Sequence, residues 1–282
     1  LRARHFDSSK FNLGEKIIMV WFRQVRCSVI NYIFLVNLIE CVAVKITHLN
    51  VPSLVEVSTG PIILDCEYTM EASGPAAGLV VKWFFNGSAC LVYQWIPPQK
   101  PQVIGLLKDK VDMSFRISDN PLQAYRAIKI LKSATDLSGN YTCVVSTFLK
   151  EDRQTKSMLV YSPGKSFHFI QEKKYVFLVT LICIAEDLYP KPVMKILSKG
   201  KPLEQVVTKI TMNSWGLYKV TSRAEVHDFD VDSPSEEFTC ELTLPPANYS
   251  AHRVTVYYPG QMPTSFAAIE FEKPRERLLS SE

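Results

Sequence analysis

The side chains best suited to chemistry in this sequence are its seven cysteines, and no two of them stand in a Cys-x-x-Cys pair. Without that spacing a thiolate cage for zinc has no framework, so oxidation in pairs is the chemistry to expect, in a compartment outside the cytosol. Catalytic patterns are missing. There is no Gly-x-Ser-x-Gly elbow, no His-Glu-x-x-His pair, no phosphate-binding glycine loop and no dinucleotide fingerprint, and His5, His48, His168, His227 and His252 are scattered. No enzyme activity, catalytic residue or cofactor is therefore expected. Asp228, Asp230 and Asp232 alternate as calcium ligands can. Ser233, however, occupies the position where a helix-loop-helix calcium site needs glycine, and Thr239 the position of its bidentate glutamate, so a solvated turn without metal is expected. Three triplets could accept N-linked glycans: Asn86-Gly87-Ser88, Asn140-Tyr141-Thr142 and Asn248-Tyr249-Ser250.

The elements that must carry these residues are short. From Val44 onward, β-rich runs alternate with turn residues (Val44–Ile46, Val55–Val57, Ile62–Cys66, Leu79–Phe85, Ala127–Leu131, Tyr141–Ser146, Met158–Tyr161), which predicts an all-β sandwich or barrel. Within them Cys66, Trp83, Tyr141 and Cys143 follow one another in a telling order. In an immunoglobulin sandwich a disulfide joins the two sheets, a tryptophan on strand C packs against it, and a tyrosine two residues before the second cysteine anchors the corner into strand F. Cys66 and Cys143, 77 residues apart, fit that plan and leave room for the extra strands of a variable-type domain. Closing such a loop stabilises by on the order of 4 kcal/mol in the chain-entropy picture. Cys183 and Cys240, 57 apart, fit the shorter constant type. There Ile196 stands where the tryptophan belongs and Phe238 replaces the corner tyrosine, so the core is kept but the corner hydroxyl is lost.

With 282 residues and 47% hydrophobic side chains, the chain can fill two cores of roughly 100 residues each. The domains expected are a variable-type sandwich over 44–162 and a constant-type one over 163–258. Ser162-Pro163-Gly164-Lys165 is too short for a flexible tether. Residues 19–43 have a basic start (Arg23, Arg26), an apolar stretch Cys27–Ile39 and the small-residue ending Cys41-Val42-Ala43, the layout of a secretory signal peptide. Residues 1–18 remain unassigned, and 259–282 form a polar tail in which no membrane anchor is evident. Outside residues 1–43 the chain has 26 basic and 25 acidic residues, a balance that gives no electrostatic case for nucleic acid. A secreted or cell-surface protein that binds another protein is the expected class.

The first domain resembles the beaten-path group of insect immunoglobulin-superfamily proteins. The resemblance rests on Val44-Lys45-Ile46-Thr47-His48-Leu49-Asn50-Val51-Pro52, Val81-Lys82-Trp83-Phe84, Pro97-Pro98 and Cys143-Val144-Val145-Ser146, and spans roughly residues 44–162. It implies a sidestep-type immunoglobulin receptor as partner and a role in axon guidance or synaptic target recognition. A soluble immune-type or other ligand-binding protein is the alternative reading.

Partner binding is expected on the face formed by strands G, F, C and C′. With Trp83 and Cys143 pointing inward, period-two alternation sends Lys82, Phe84, Val144 and Ser146 outward. Tyr93, Trp95, Phe148 and Leu149 are expected to extend an apolar patch there, since exposed aromatic residues anchor interfaces. Cys90, the odd thiol, is expected to be buried as a small hydrophobe, with a disulfide to another chain as the alternative.

Overall fold

A computed structural model of the chain describes residues 44–70 and 78–260. The leader expected at 19–43, residues 1–18 and the tail beyond Gly260 lie outside the described residues.

Alternating burial along the strands builds two cores, each closed by one disulfide. In the first, β1 (Val44–Asn50), β3 (Ile62–Met70) and β7 (Ile128–Ile130) form one sheet. The other runs in the order β9 (Glu151–Tyr175), β8 (Gly139–Ser146), β4 (Val80–Phe85), β5 (Leu91–Trp95), β6 (Gln102–Val103), and β2 (Leu54–Glu56) lies parallel to β9 at its edge. The chain passes from the first sheet to the second across Val51-Pro52-Ser53, where Pro52, having no N–H, could not have continued a ladder. Cys66 on β3 and Cys143 on β8 bridge the sheets with 6.4 Å between Cα atoms. Trp83 pairs in register with Cys143 and is fully buried, and the Tyr141 hydroxyl donates to the Leu137 carbonyl at 2.9 Å.

The second sandwich sets β9, β10 (Leu178–Tyr189), β14 (Tyr218–His227) and β13 (Val206–Met212) against β12 (Lys201–Pro202), β11 (Val193–Ser198), β15 (Glu236–Leu244) and β16 (Tyr249–Tyr257). These two sheets correspond to the constant-type arrangement. Along β15, Glu236, Phe238, Cys240, Leu242 and Leu244 point inward while the residues between them do not, the period-two signature of a half-buried strand. Ile196 pairs in register with Cys240 as Trp83 does with Cys143, and both Ile196 and Phe238 are buried.

Where the sequence suggested one strand ending near Tyr161 and a short connection, β9 runs unbroken from Glu151 to Tyr175. It pairs with β8 through residues 151–158 and with β10 through residues 162–175. The crossing point admits only glycine, because a Cβ on Gly164 (φ +95°) would lie 2.8 Å from the Glu186 carbonyl. The Ser162 hydroxyl donates to the Asp187 carbonyl at 2.6 Å, and Lys165 pairs with Asp187 at 3.0 Å. Tyr161 ties both domains to this strand. Its hydroxyl donates to Glu56 at 2.9 Å, and its ring lies 6.0 Å from that of Tyr249. Burial, together with the Glu56 charge, raises the pKa of Tyr249.

Candidate functional site

The sheet β9-β8-β4-β5-β6 presents its outer face to solvent. Val144 on β8 lies between Lys82 on β4 and Arg153 on β9, and Phe84 opposes Thr142. Lys82, Phe84 and Ser146 are half-buried. Val144 points outward but is buried, flanked in register by two long cationic side chains whose stems can cover it. The central face thus sets half-buried Phe84 and covered Val144 among polar and charged side chains, with Arg153 paired to Glu151 at 2.6 Å, and it differs from the open apolar patch that alternation suggested.

Two expected contact residues are corrected. Tyr93 and Trp95 are 2% and 1% exposed, members of the first core. Their partners across the ladder explain this: Tyr93 pairs with Trp83 and Trp95 with Val81, and directly paired residues share a face. A register shift between Trp83 and Phe84 leaves Val92 as the extra residue in β5, and Val92 is buried too. Segment 122–126 satisfies the polar tips of these rings. Tyr93 donates its hydroxyl to the Tyr125 carbonyl at 2.8 Å, Trp83 its indole N–H to that of Arg126 at 3.3 Å, and Tyr68 its hydroxyl to that of Leu122. Trp95 donates to Gln99 at 3.0 Å, and its ring meets Tyr125 edge-on at 5.8 Å. Burial pushes the Tyr68, Tyr93 and Tyr141 phenols far above their ordinary range. Arg126 locks the segment by a two-pronged bond to Asp65 at 2.9 and 3.0 Å. Burial opposes its charge, but Asp65 and nearby Glu67 outweigh that and hold its pKa raised.

The exposed apolar side chains sit at one end of this sheet. Phe148, in the turn between β8 and β9, is 82% exposed and rests on Gly78, whose lack of a Cβ admits the ring. Leu149 beside it is also exposed. Ile96, exposed just past Trp95, was missed in the sequence; by register it falls next to Val80 at the same end. No signal within β5 could have found it, because its exposure follows from Trp95 facing inward, which the pairing with Val81 decides.

Asn86, Asn140 and Asn248 are exposed. Asn86 stands at the β4–β5 turn with φ 51°, its side-chain oxygen accepting from the Asn140 N–H at 2.8 Å. Cys90 is corrected: it is a free thiol exposed in that same turn, where its N–H and carbonyl close the loop onto Gly87 and Phe85. Among the described residues no group of three or more metal-ligating side chains is assembled, and no helix is long and apolar enough to cross a membrane. Asp228 accepts from the Tyr257 hydroxyl and from the Gly260 N–H at 2.7 Å. Lys173, with its side chain almost wholly buried, lies 2.9 Å from the Tyr257 hydroxyl and 3.5 Å from Asp228. Hydrogen bonding from Tyr257 is the main reason the Asp228 carboxyl is held below its usual range.

No family model and no curated protein matches this sequence. Among solved structures, that of bovine butyrophilin is similar over 76% of this chain and 96% of its own, at 16% identity and a TM-score of 0.57. A chain from the complex of ICOS with ICOS-L and an anti-ICOS-L VNAR domain is similar over 73% of this chain and 100% of its own, at 14% identity and a TM-score of 0.51. At such identities the likeness shows the fold: two tandem immunoglobulin-like β-sandwiches.

Proposed function

We propose that this protein is an extracellular recognition protein that binds another protein through the β9-β8-β4-β5 face of its first domain and the apolar end above it. The observation that carries this reading is Phe148, a large ring almost fully in solvent yet seated on Gly78, with Leu149 and Ile96 at the same end of the sheet. A positioned aromatic next to a largely polar face has the composition of an interface anchor with its rim. The similar structure solved with ICOS, ICOS-L and a VNAR domain is a complex between proteins, which supports the same use of the fold. Resemblance of the first domain to the beaten-path group supports a sidestep-type immunoglobulin receptor as the partner, and a role in axon guidance or target recognition. The two disulfides support secretion through an oxidising compartment, with residues 19–43 as its signal peptide. Exposed Asn86, Asn140 and Asn248 would then carry glycans, that on Asn86 bordering the binding face.

Screening the purified two-domain protein against a panel of extracellular immunoglobulin receptors, sidestep-type members included, tests the reading. Phe148→Ala should weaken the partner found by about 30-fold, the cost of losing a central aromatic anchor of about 2 kcal/mol. Binding that survives Phe148→Ala and Leu149→Ala unchanged would place the interface elsewhere.

A further inference from the structure

The turn between β4 and β5 begins Phe85-Asn86-Gly87-Ser88. Asn86 and Gly87 reverse the chain with φ 51° and 124°, a region that asparagine and glycine enter most readily. Asn86 is then fastened to β8 twice. Its N–H donates to the Asn140 carbonyl at 2.9 Å, and its Oδ1 accepts from the Asn140 N–H at 2.8 Å. Because that N–H needs an acceptor, the bond fixes which end of the carboxamide faces the strand. Nδ2, the atom to which an N-glycan is joined, therefore points away from β8 on an exposed residue. Ser88, which completes the acceptor triplet, is exposed, and its hydroxyl makes no hydrogen bond among the described residues. Phe85 lies against the same spot. Its ring is half-buried, 5.1 Å from that of Tyr141 and tilted to it by 59°. A Cβ on Gly139, at the start of β8, would collide with both the Phe85 ring and the Asn86 Oδ1, so glycine there lets ring and carboxamide sit side by side.

We infer that the first sugar of a glycan on Asn86 packs on the Phe85 ring and becomes part of the fold of the first domain. The inference rests on the secretory reading above, which brings Asn86 to the compartment where glycans are attached. There Nδ2 gives up one hydrogen and bonds to the anomeric carbon of an N-acetylglucosamine, displacing the polyprenyl pyrophosphate that carried the oligosaccharide. That sugar has an apolar face of C–H bonds. Laid on the open part of the ring it removes apolar area from water, and the negative face of the ring attracts those C–H groups. Two bonds to β8 already aim the carboxamide, so the sugar is placed with little further loss of freedom. Asn140 lies near the start of β8 and Phe148 beyond its end, so a glycan seated here stabilises the domain without covering the apolar end.

The test uses the full chain secreted from eukaryotic cells. Mass spectrometry of the peptide reads occupancy at Asn86, and the urea midpoint of tryptophan emission reads first-domain stability. Ser88→Ala removes the acceptor triplet while keeping Asn86 and its hydrogen bonds. Its midpoint should fall at least about 0.3 M below that of the glycosylated parent, the scale of one good aromatic contact. In a Phe85→Leu background, Ser88→Ala should leave the midpoint unchanged. Trimming the parent with an endoglycosidase that leaves one N-acetylglucosamine should keep the parent midpoint, a readout that needs no substitution in the core. Equal midpoints for parent and Ser88→Ala, an equal loss in the Phe85→Leu background, or a midpoint that falls on trimming overturns the inference. A bare Asn86 beside glycans on Asn140 or Asn248 overturns this inference alone, whereas a chain retained in the cell with no glycan at any of the three overturns the secretory reading as well.

Discussion

Tyr141→Phe removes a single oxygen from the centre of the first domain. Its hydroxyl is fully buried and donates to the Leu137 carbonyl at 2.9 Å, holding the 3-10 turn Thr135–Leu137 against β8. Without it the carbonyl loses its partner in a site closed to water, a loss worth about 1–3 kcal/mol. In urea that should lower the unfolding midpoint by about 1 M with the slope unchanged. Tryptophan emission is the assay: Trp83 and Trp95 are buried in the first core, whereas Trp215, at 83% exposure on the second domain, changes its surroundings little on unfolding. In protein without the proposed leader, which carries Trp21, the signal therefore reports the first domain even though the chain has two. The second domain has Phe238 at the matching position, so Phe238→Tyr should not stabilise it; it would bury a hydroxyl where β15 has done without one. A midpoint that moves by less than about 0.2 M in Tyr141→Phe would refute the corner as a stabilising bond.

Three further outcomes are expected. Tyr68, Tyr93 and Tyr141 all have raised pKa values through burial, so above about pH 10 the unfolded chain releases protons that the folded one retains. First-domain stability should be complete below that pH and then fall by up to about 4 kcal/mol per unit, which urea midpoints across the alkaline range would check. Trp95→Ala should destabilise the first domain by about 3–5 kcal/mol, whereas Phe148→Ala should leave its midpoint unchanged; equal midpoints for the two would contradict their placement. Arg126→Ala leaves the nearly buried Asp65 carboxylate without its two-pronged partner and should cost about 3–5 kcal/mol in the same assay.

The sequence by itself determined the all-β class, the two disulfide pairs and the place of Trp83, because residues whose types are rare and whose roles are specific announce themselves at fixed spacings. It also placed Ile196 and Phe238 in the second core. Alternation was reliable wherever such an anchor lay in the same strand: with Trp83 inward on β4, Lys82 and Phe84 face outward. On β5 no anchor was available. Tyr93 and Trp95 could be seen to share a face, but which face was set by pairing with Trp83 and Val81, a contact between strands that no period within β5 encodes. Segment 122–126 escaped notice for a related reason, since it serves the core through backbone carbonyls, which carry no residue-specific signal. The exposure of Cys90 and the continuity of β9 through Pro163 and Gly164 were likewise decided by packing and pairing between distant parts of the chain.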